Sequence, residues 1–323
     1  VVNQKDIQKA VDILRQGGLV AMPTETVYGL GGDASNPAAL RKIFAAKERP
    51  IDHPLIVHLA DMTDVGHWAL EVPDSAIRLA EAFWPGPLTL ILKKASHVSD
   101  MVTGNQDTVG LRVPSHPVAR ALLKAFGGGL AAPSANRFGR ISPTTAQAVE
   151  EELGRAVDLI LDGGQCDVGL ESTIVDVTGE LPVVLRPGRI TSLAIEAVLH
   201  QQVSVAKQNS PRVSGSLESH YAPRTATALV SASELSAYIS HLDSANLPCA
   251  VLSYASCAIL REGVEWVEMS CDSKQYAHDL YRVMRELDKK KFKLLVIEAI
   301  PEGQDWDAVR DRLQRATANR MGG

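Results

Sequence analysis

The stretch Lys47-Glu48-Arg49-Pro50-Ile51-Asp52-His53-Pro54-Leu55-Ile56-Val57-His58 packs two cations, two prolines and two histidines into twelve residues. Pro50 and Pro54 each fix their own φ and push the residue before them out of the helical region. Arg49 and His53 are therefore expected on stiff, extended backbone. Lys47 and Arg49 lie two apart and on an extended path point the same way. Two cations held close repel each other unless an anion sits between them. A nucleotide's phosphates would suit, and Arg offers the planar fork of donors. A solvated helix end, with Lys and Arg complementing the dipole, is the plainer reading and the better one for Lys47 alone.

Other residues repeat the theme at strand ends. Pro23–Gly32 follows an apolar strand and reads as a loop, with Thr24 and Thr26 flanking Glu25 and with Gly29, Gly31 and Gly32 allowing close backbone approach. Its glycine spacing fits neither the P-loop nor the dinucleotide fingerprint. Arg112 sits near the end of an apolar strand and needs an anion, either a protein carboxylate or a substrate carboxylate. His58 is on a strand, where a core histidine is the commoner case. Pro133-Ser134-Ala135-Asn136 and Glu171-Ser172-Thr173 are each explicable as ordinary turns, and Arg186-Pro187-Gly188 is a third cation held by a following proline. Together they describe a cleft for a polyanion and a small polar partner. No Ser-His-Asp or Cys-His set is present, so no catalytic nucleophile is assigned.

The elements that must hold these residues alternate. At 323 residues the chain is about twice a domain of roughly 100–200 residues. Hydrophobic residues make up 45%, enough for a core in each half. A net charge of −5 argues against sequence-blind nucleic-acid binding, which needs a basic face. Cys166, Cys249, Cys257 and Cys271 form no CxxC and suggest neither zinc nor disulfides, which fits a reducing cytoplasm. No apolar run reaches the roughly 20 residues of a membrane helix, and the amino end lacks a signal pattern.

Helices are expected from Ile7-Ala10-Val11-Leu14 and Leu40-Ile43-Phe44, then over 76–83, 118–126, 145–153 and 192–198. Strands are expected near 19–22, 55–59, 88–92, 108–114, 159–161, 172–177 and 182–185. The hairpin-like later strands make a purely parallel sheet untenable. The fold class is α/β: a twisted mixed-sheet domain over 1–200, a Gln/Ser/Pro/Gly-rich linker or lid over 201–224, and a smaller three-layer, Rossmann-like α/β domain over 225–323.

Taken in order, PTETVYGLG at Pro23–Gly31, KERP at Lys47–Pro50, HPLIVH at His53–His58, WPGPLTLIL at Trp84–Leu92, GLRVP at Gly110–Pro114, PSAN at Pro133–Asn136, ESTIVD at Glu171–Asp176, LRPG at Leu185–Gly188 and SHYAP at Ser219–Pro223 resemble the threonylcarbamoyl-adenylate synthase family in its long, two-domain form with a YrdC-like first domain. The resemblance implies synthesis of L-threonylcarbamoyl-AMP and pyrophosphate from L-threonine, bicarbonate and ATP with Mg²⁺. The product would go to a tRNA threonylcarbamoyl-transferase complex acting on adenosine 37. Carried over by position, threonine would be held by Thr26, His58, Arg112, Ala132 and Ser172. ATP would be held by Lys47, Arg49, His53, Thr108, Ser134, Ser142, Arg186 and Tyr221, and no metal ligands are assigned. The linker, through Tyr221, would close over the nucleotide. Two readings compete with this one: an RNA-gripping module, and carbamoyl transfer for another pathway.

Overall fold

The computed structural model describes residues 2–206, 210–215, 220–254 and 261–318. Cys257, and Ser219 of the SHYAP string, lie outside the described residues. The chain forms two compact units, Val1–Phe138 with Ser142–Ser216, and Gly139–Ile141 with Leu217–Gly323.

The first unit runs α1 (Gln4–Arg15), β1 (Val20–Met22), β2 (Gly29–Asp33), α2 (Pro37–Lys47), β3 (Ile56–His58), α3 (Val65–Trp68), α4 (Asp74–Phe83), β4 (Leu88–Lys93), α5 (Asp100–Thr103), β5 (Thr108–Arg112), α6 (Pro117–Phe126), β6 (Leu130–Ala131), α7 (Ala146–Leu153), β7 (Leu159–Ile160), β8 (Thr173–Asp176), β9 (Val183–Arg186), α8 (Ser192–Leu199) and β10 (Ser204–Val205). The helices start where capping chemistry allows. Asn3 makes a capping box with Asp6, and Asn36 caps α2 ahead of Pro37.

The ten strands form one mixed sheet in the order β10-β9-β8-β4-β5-β3-β6-β2-β1-β7. Its centre pairs β3 with β5 and β4 with β8 in parallel, while β4 and β5 run antiparallel. Alternation along these strands separates two faces. Val57, Val109, Leu111, Leu88, Leu90, Leu92 and Val175 join one core with Leu40, Phe44 and Leu79 from the helices. The intervening Ile91 and Ile174 belong to a separate small cluster with Leu185 and Val213. That second face carries the site.

Two expectations are corrected here. Pro23–Gly32 is not all loop, because Gly29–Asp33 is a strand antiparallel to β1 and β6. A Cβ on Gly29 would lie 3.3 Å from the Cβ of Ala132, so the glycines serve close strand packing, which a loop reading hides. Lys47 and Arg49 are not on one extended path. Lys47 ends α2 and Glu48 is a left-handed cap with φ 53°, so no extended backbone joins the two.

The second unit holds β11 (Ala226–Val230), α9 (Ala232–Ser240), β12 (Cys249–Ser253), β13 (Val264–Glu268), α10 (Ser273–Lys289), β14 (Leu294–Glu298) and α11 (Asp307–Thr317). Its strands are all parallel, in the order β11-β14-β12-β13. Cys249 and Val251 pack with Leu235 and Ile239 of α9, and the alternate residues Ala250 and Leu252 are equally buried. A parallel sheet buried on both faces is what the apolar runs of this half require.

Candidate functional site

The floor of the site is the second face of the central sheet. Register places Ile56 opposite Gly110 and His58 opposite Arg112, with Ile91 of β4 opposite Gly110 on its other side. A Cβ on Gly110 would meet Ile91 at 3.2 Å and Ile56 and Thr89 at 3.5 Å, so these residues surround one shallow floor.

Of the residues expected to bind threonine, His58 and Arg112 face each other across β3 and β5. Arg112 is buried and donates from Nη2 to Oε1 of Glu25 at 2.7 Å and from Nε to the Gly86 carbonyl at 3.3 Å. The other Glu25 oxygen accepts the Ser115 amide at 3.1 Å. Burial pushes the Glu25 pKa up, but Arg112 and the amide bonds outweigh it and hold the carboxyl below its usual range. Of the two partners open to Arg112, the protein carboxylate is present. His58 is buried, and burial followed by the charge of Arg112 lowers its pKa to about 3, so its ring is neutral. Ala132 donates its amide to the Ile56 carbonyl at 3.0 Å. Thr26 is fully buried, its hydroxyl 2.8 Å from that of Thr24. Ser172 shares a 2.8 Å hydroxyl contact with Thr89 of β4.

Of the residues expected to bind ATP, Lys47, Arg49 and Arg186 are buried cations. Lys47 is 2% exposed, and its ammonium donates to the carbonyls of Ser134 at 2.5 Å and Asn136 at 2.6 Å. Burial and then repulsion from Arg49 drive its pKa well below the ordinary lysine value. Arg49 donates from Nη2 to the Pro54 carbonyl at 2.9 Å and to Oγ of Ser214 at 3.2 Å. Its guanidinium also lies 5.8 Å from the ring centre of Phe138, which meets His53 edge-on at 5.0 Å. Burial and then Arg49 lower the His53 pKa. Arg186 donates to the carbonyl and hydroxyl of Ser172, and from Nη1 to the Ser214 carbonyl at 2.7 Å. The turn after Arg186 is pressed on β8: a Cβ on Gly188 would stand 2.4 Å from the Thr173 nitrogen. Ser142 donates to Glu171 at 2.5 Å.

A strap within the expected linker of 201–224 covers this floor, and what sequence reasoning missed is its anchoring contacts. Val213 is buried with Ile91, Ile174 and Leu185. Gln106 pairs with the Arg212 backbone at both ends, accepting its amide at 2.7 Å and donating to its carbonyl at 3.0 Å. Thr108, Gly110 and Val213 line what remains, a cavity of about 10 Å³, about enough for one water. Ser214 and Gln106 carried no signal because they lie in polar, turn-rich sequence. Tyr221 is found in the second unit. It is 1% exposed, beneath the Arg312 guanidinium at 5.2 Å and stacked on Tyr281 at 5.9 Å. Among the described residues no three or more His, Cys, Asp or Glu side chains gather as a metal site. No described helix is long and apolar enough to cross a membrane.

Family models match both halves of the chain. The family model described as "Telomere recombination" matches residues 12–188, and the one described as "Threonylcarbamoyl-AMP synthase, C-terminal domain" matches residues 190–318. The chain is 37% identical to a threonylcarbamoyl-AMP synthase of Bacillus subtilis, over 99% of this chain and 95% of that protein. It is 34% identical to one of Pyrococcus abyssi, over 99% and 96%. The fold is similar to that of P. abyssi Sua5 in complex with L-threonine, with a TM-score of 0.91, 33% identity and coverage of 99% and 96%. E. coli YciO matches with a TM-score of 0.52 and 31% identity, over 58% of this chain and 91% of its own.

Proposed function

The chain belongs to the threonylcarbamoyl-AMP synthase family of nucleotidyltransferases, and we propose that it makes L-threonylcarbamoyl-AMP and pyrophosphate from L-threonine, bicarbonate and ATP. The amine of threonine captures bicarbonate, losing water, to give a carbamate. A carbamate oxygen then attacks the α-phosphorus of ATP, and pyrophosphate leaves. Both reactants are anions, so the enzyme's task is to neutralise and align them.

One observation carries this reading. Arg49 and Arg186, from elements far apart in sequence, both donate to Ser214, one to its hydroxyl and one to its carbonyl. Their donors converge on a place fit for oxygen atoms. Phosphate oxygens are better acceptors for a guanidinium than a serine is, and would replace them there. A triphosphate beside Lys47 would raise its pKa, since an opposite charge favours the protonated form. Thr108, Ser134, Ser142, His53 and Tyr221 complete the proposed ATP set.

Threonine would lie at the Arg112 end. Arg112 keeps donors beyond those given to Glu25 and Gly86, and these would take the amino-acid carboxylate. The neutral His58 can hydrogen-bond a substrate without adding charge. Thr26, Ala132 and Ser172 would line the same end. The P. abyssi relative solved with L-threonine supports this choice of amino acid. Mg²⁺ would come as part of the substrate, as the ATP complex, held by phosphate oxygens and water. The product would pass to a tRNA threonylcarbamoyl-transferase complex in the cytoplasm.

The deciding experiment is pyrophosphate release by the purified chain. Release that needs both threonine and bicarbonate is expected. Release independent of threonine, or consumption of carbamoyl phosphate instead, would overturn the proposal.

A further inference from the structure

The second unit contains a polar cavity of about 300 Å³ that the proposed synthesis does not use. Its wall combines Arg140, Arg224, Thr225, Thr227 and Thr317, with no carboxylate among the described lining residues. The volume is at the lower end of what small-molecule sites enclose, roughly 300–1,000 Å³.

The hydrogen bonds of the wall say what it would take. Thr225 Oγ1 donates to Asp288 at 2.8 Å, Thr227 Oγ1 donates to the Thr225 carbonyl at 3.0 Å, and Thr317 Oγ1 donates to the Leu313 carbonyl at 2.9 Å. Each hydroxyl proton is spent on the protein, so the threonine oxygens offer acceptor lone pairs. Donors come instead from the arginines. Among the described residues, the exposed Arg224 guanidinium has no hydrogen-bond or ion-pair partner, while its amide is fixed on Asp288 at 3.0 Å. Asp288 receives the Arg224 amide on one oxygen and the amide and hydroxyl of Thr225 on the other, so both oxygens are already hydrogen-bonded. Arg140 is placed by the parallel bridge of its backbone to Ala222.

A wall with guanidinium donors and hydroxyl acceptors fits a ligand with an anion and hydroxyls on one small frame. We propose that this cavity binds a ribonucleotide, its phosphate at Arg140 and Arg224 and its ribose hydroxyls at the threonine oxygens. The ligand comes either as a free nucleotide or as part of an RNA strand, and the two share this chemistry. The 2′-hydroxyl is one of the groups recognised, so ribose should be preferred over deoxyribose.

The test is calorimetric titration of the full chain carrying Arg49→Ala, which disables the proposed ATP clamp without adding a competing ribonucleotide, using CMP, dCMP and single-stranded RNA and DNA tetramers. CMP is expected to bind, dCMP at least several-fold more weakly, and Arg224→Glu to lower CMP affinity about tenfold or more. A tighter RNA tetramer than CMP assigns the cavity to a strand; equal or weaker binding assigns it to the free nucleotide. Absence of CMP binding, equal binding of dCMP, or unchanged affinity in Arg224→Glu would each overturn the proposal. Pyrophosphate release by Arg224→Glu should stay at the wild-type level. Its loss would place Arg224 in the synthetic site and also refute a separate cavity, whereas failure of synthesis in the wild-type chain would leave the titrations standing.

Discussion

Arg112 and Glu25 form a buried ion pair, Nη2 to Oε1 at 2.7 Å, with side chains 5% and 7% exposed. Removing one partner from such a pair typically costs about 3–5 kcal/mol, because the other charge stays buried and unmatched. Glu25→Gln should therefore lower unfolding stability by about 3 kcal/mol, measured by urea denaturation, and should also raise the KM for threonine by loosening Arg112. The pH dependence has a definite sign. The Glu25 pKa is held below 4.5, so its contribution is complete above that pH and is lost as pH falls through the lower folded value. The acid limb of wild-type stability should flatten in Glu25→Gln. An unchanged limb would mean that Glu25 is not the titrating group.

His58 makes a second pH prediction. Its folded pKa is about 3 against 6.5 unperturbed, so the stability from keeping it neutral is complete above pH 6.5 and lost as pH falls toward 3. The slope approaches about 1.4 kcal/mol per pH unit within that window. Between pH 6.5 and 5, wild type should lose more stability than His58→Gln, and the wild-type pH–rate profile should show no titration of His58 near neutrality. An equal loss in both proteins would contradict its neutral burial.

The buried cations predict a hierarchy among substitutions. Arg49→Lys keeps the charge but loses the fork that reaches both Pro54 and Ser214. Turnover should fall by about 10²-fold, the usual scale for losing one preorganised donor to a developing charge, with little change in unfolding. Lys47→Ala should abolish adenylate formation and also destabilise, by about 1–3 kcal/mol, because the carbonyls of Ser134 and Asn136 lose their donor. Steady-state pyrophosphate release alongside thermal unfolding separates the two effects. Near-normal turnover in either variant would dismantle the phosphate clamp.

The strap gives a third kind of test. Gln106→Ala removes both bonds to the Arg212 backbone, so limited proteolysis within 210–215 should speed up severalfold. Deleting the chain after Gln201 removes Val213 from Ile91, Ile174 and Leu185 as well, and ATP affinity should fall. Proteolysis and affinity both at wild-type values would mean that the strap contributes nothing to the nucleotide side.

Apolar periodicity located most of the elements within a residue or two. The expected helix at 118–126 is Pro117–Phe126, and the expected strand at 88–92 is Leu88–Lys93. β2 escaped because three of its five residues are glycine, which propensity assigns to loops although tight packing against Ala132 requires it. α3 and α5, four residues each, are too short to show a period. At the site, residue type pointed to Arg112 but could not choose its partner, since Glu25 is 87 positions away. Ser214 and Gln106 matter through tertiary contacts alone, and no local pattern marks them.

The division of labour between the two faces of the central sheet limits how its sequence can drift. A single inserted residue within β5 would exchange inside for outside. Val109 and Leu111 would be turned away from the helices and Arg112 driven in among aliphatic side chains. Length changes in these short strands should therefore be far less tolerated than point replacements, and families of such chains should vary in length at the connections while keeping the strand count of residues fixed.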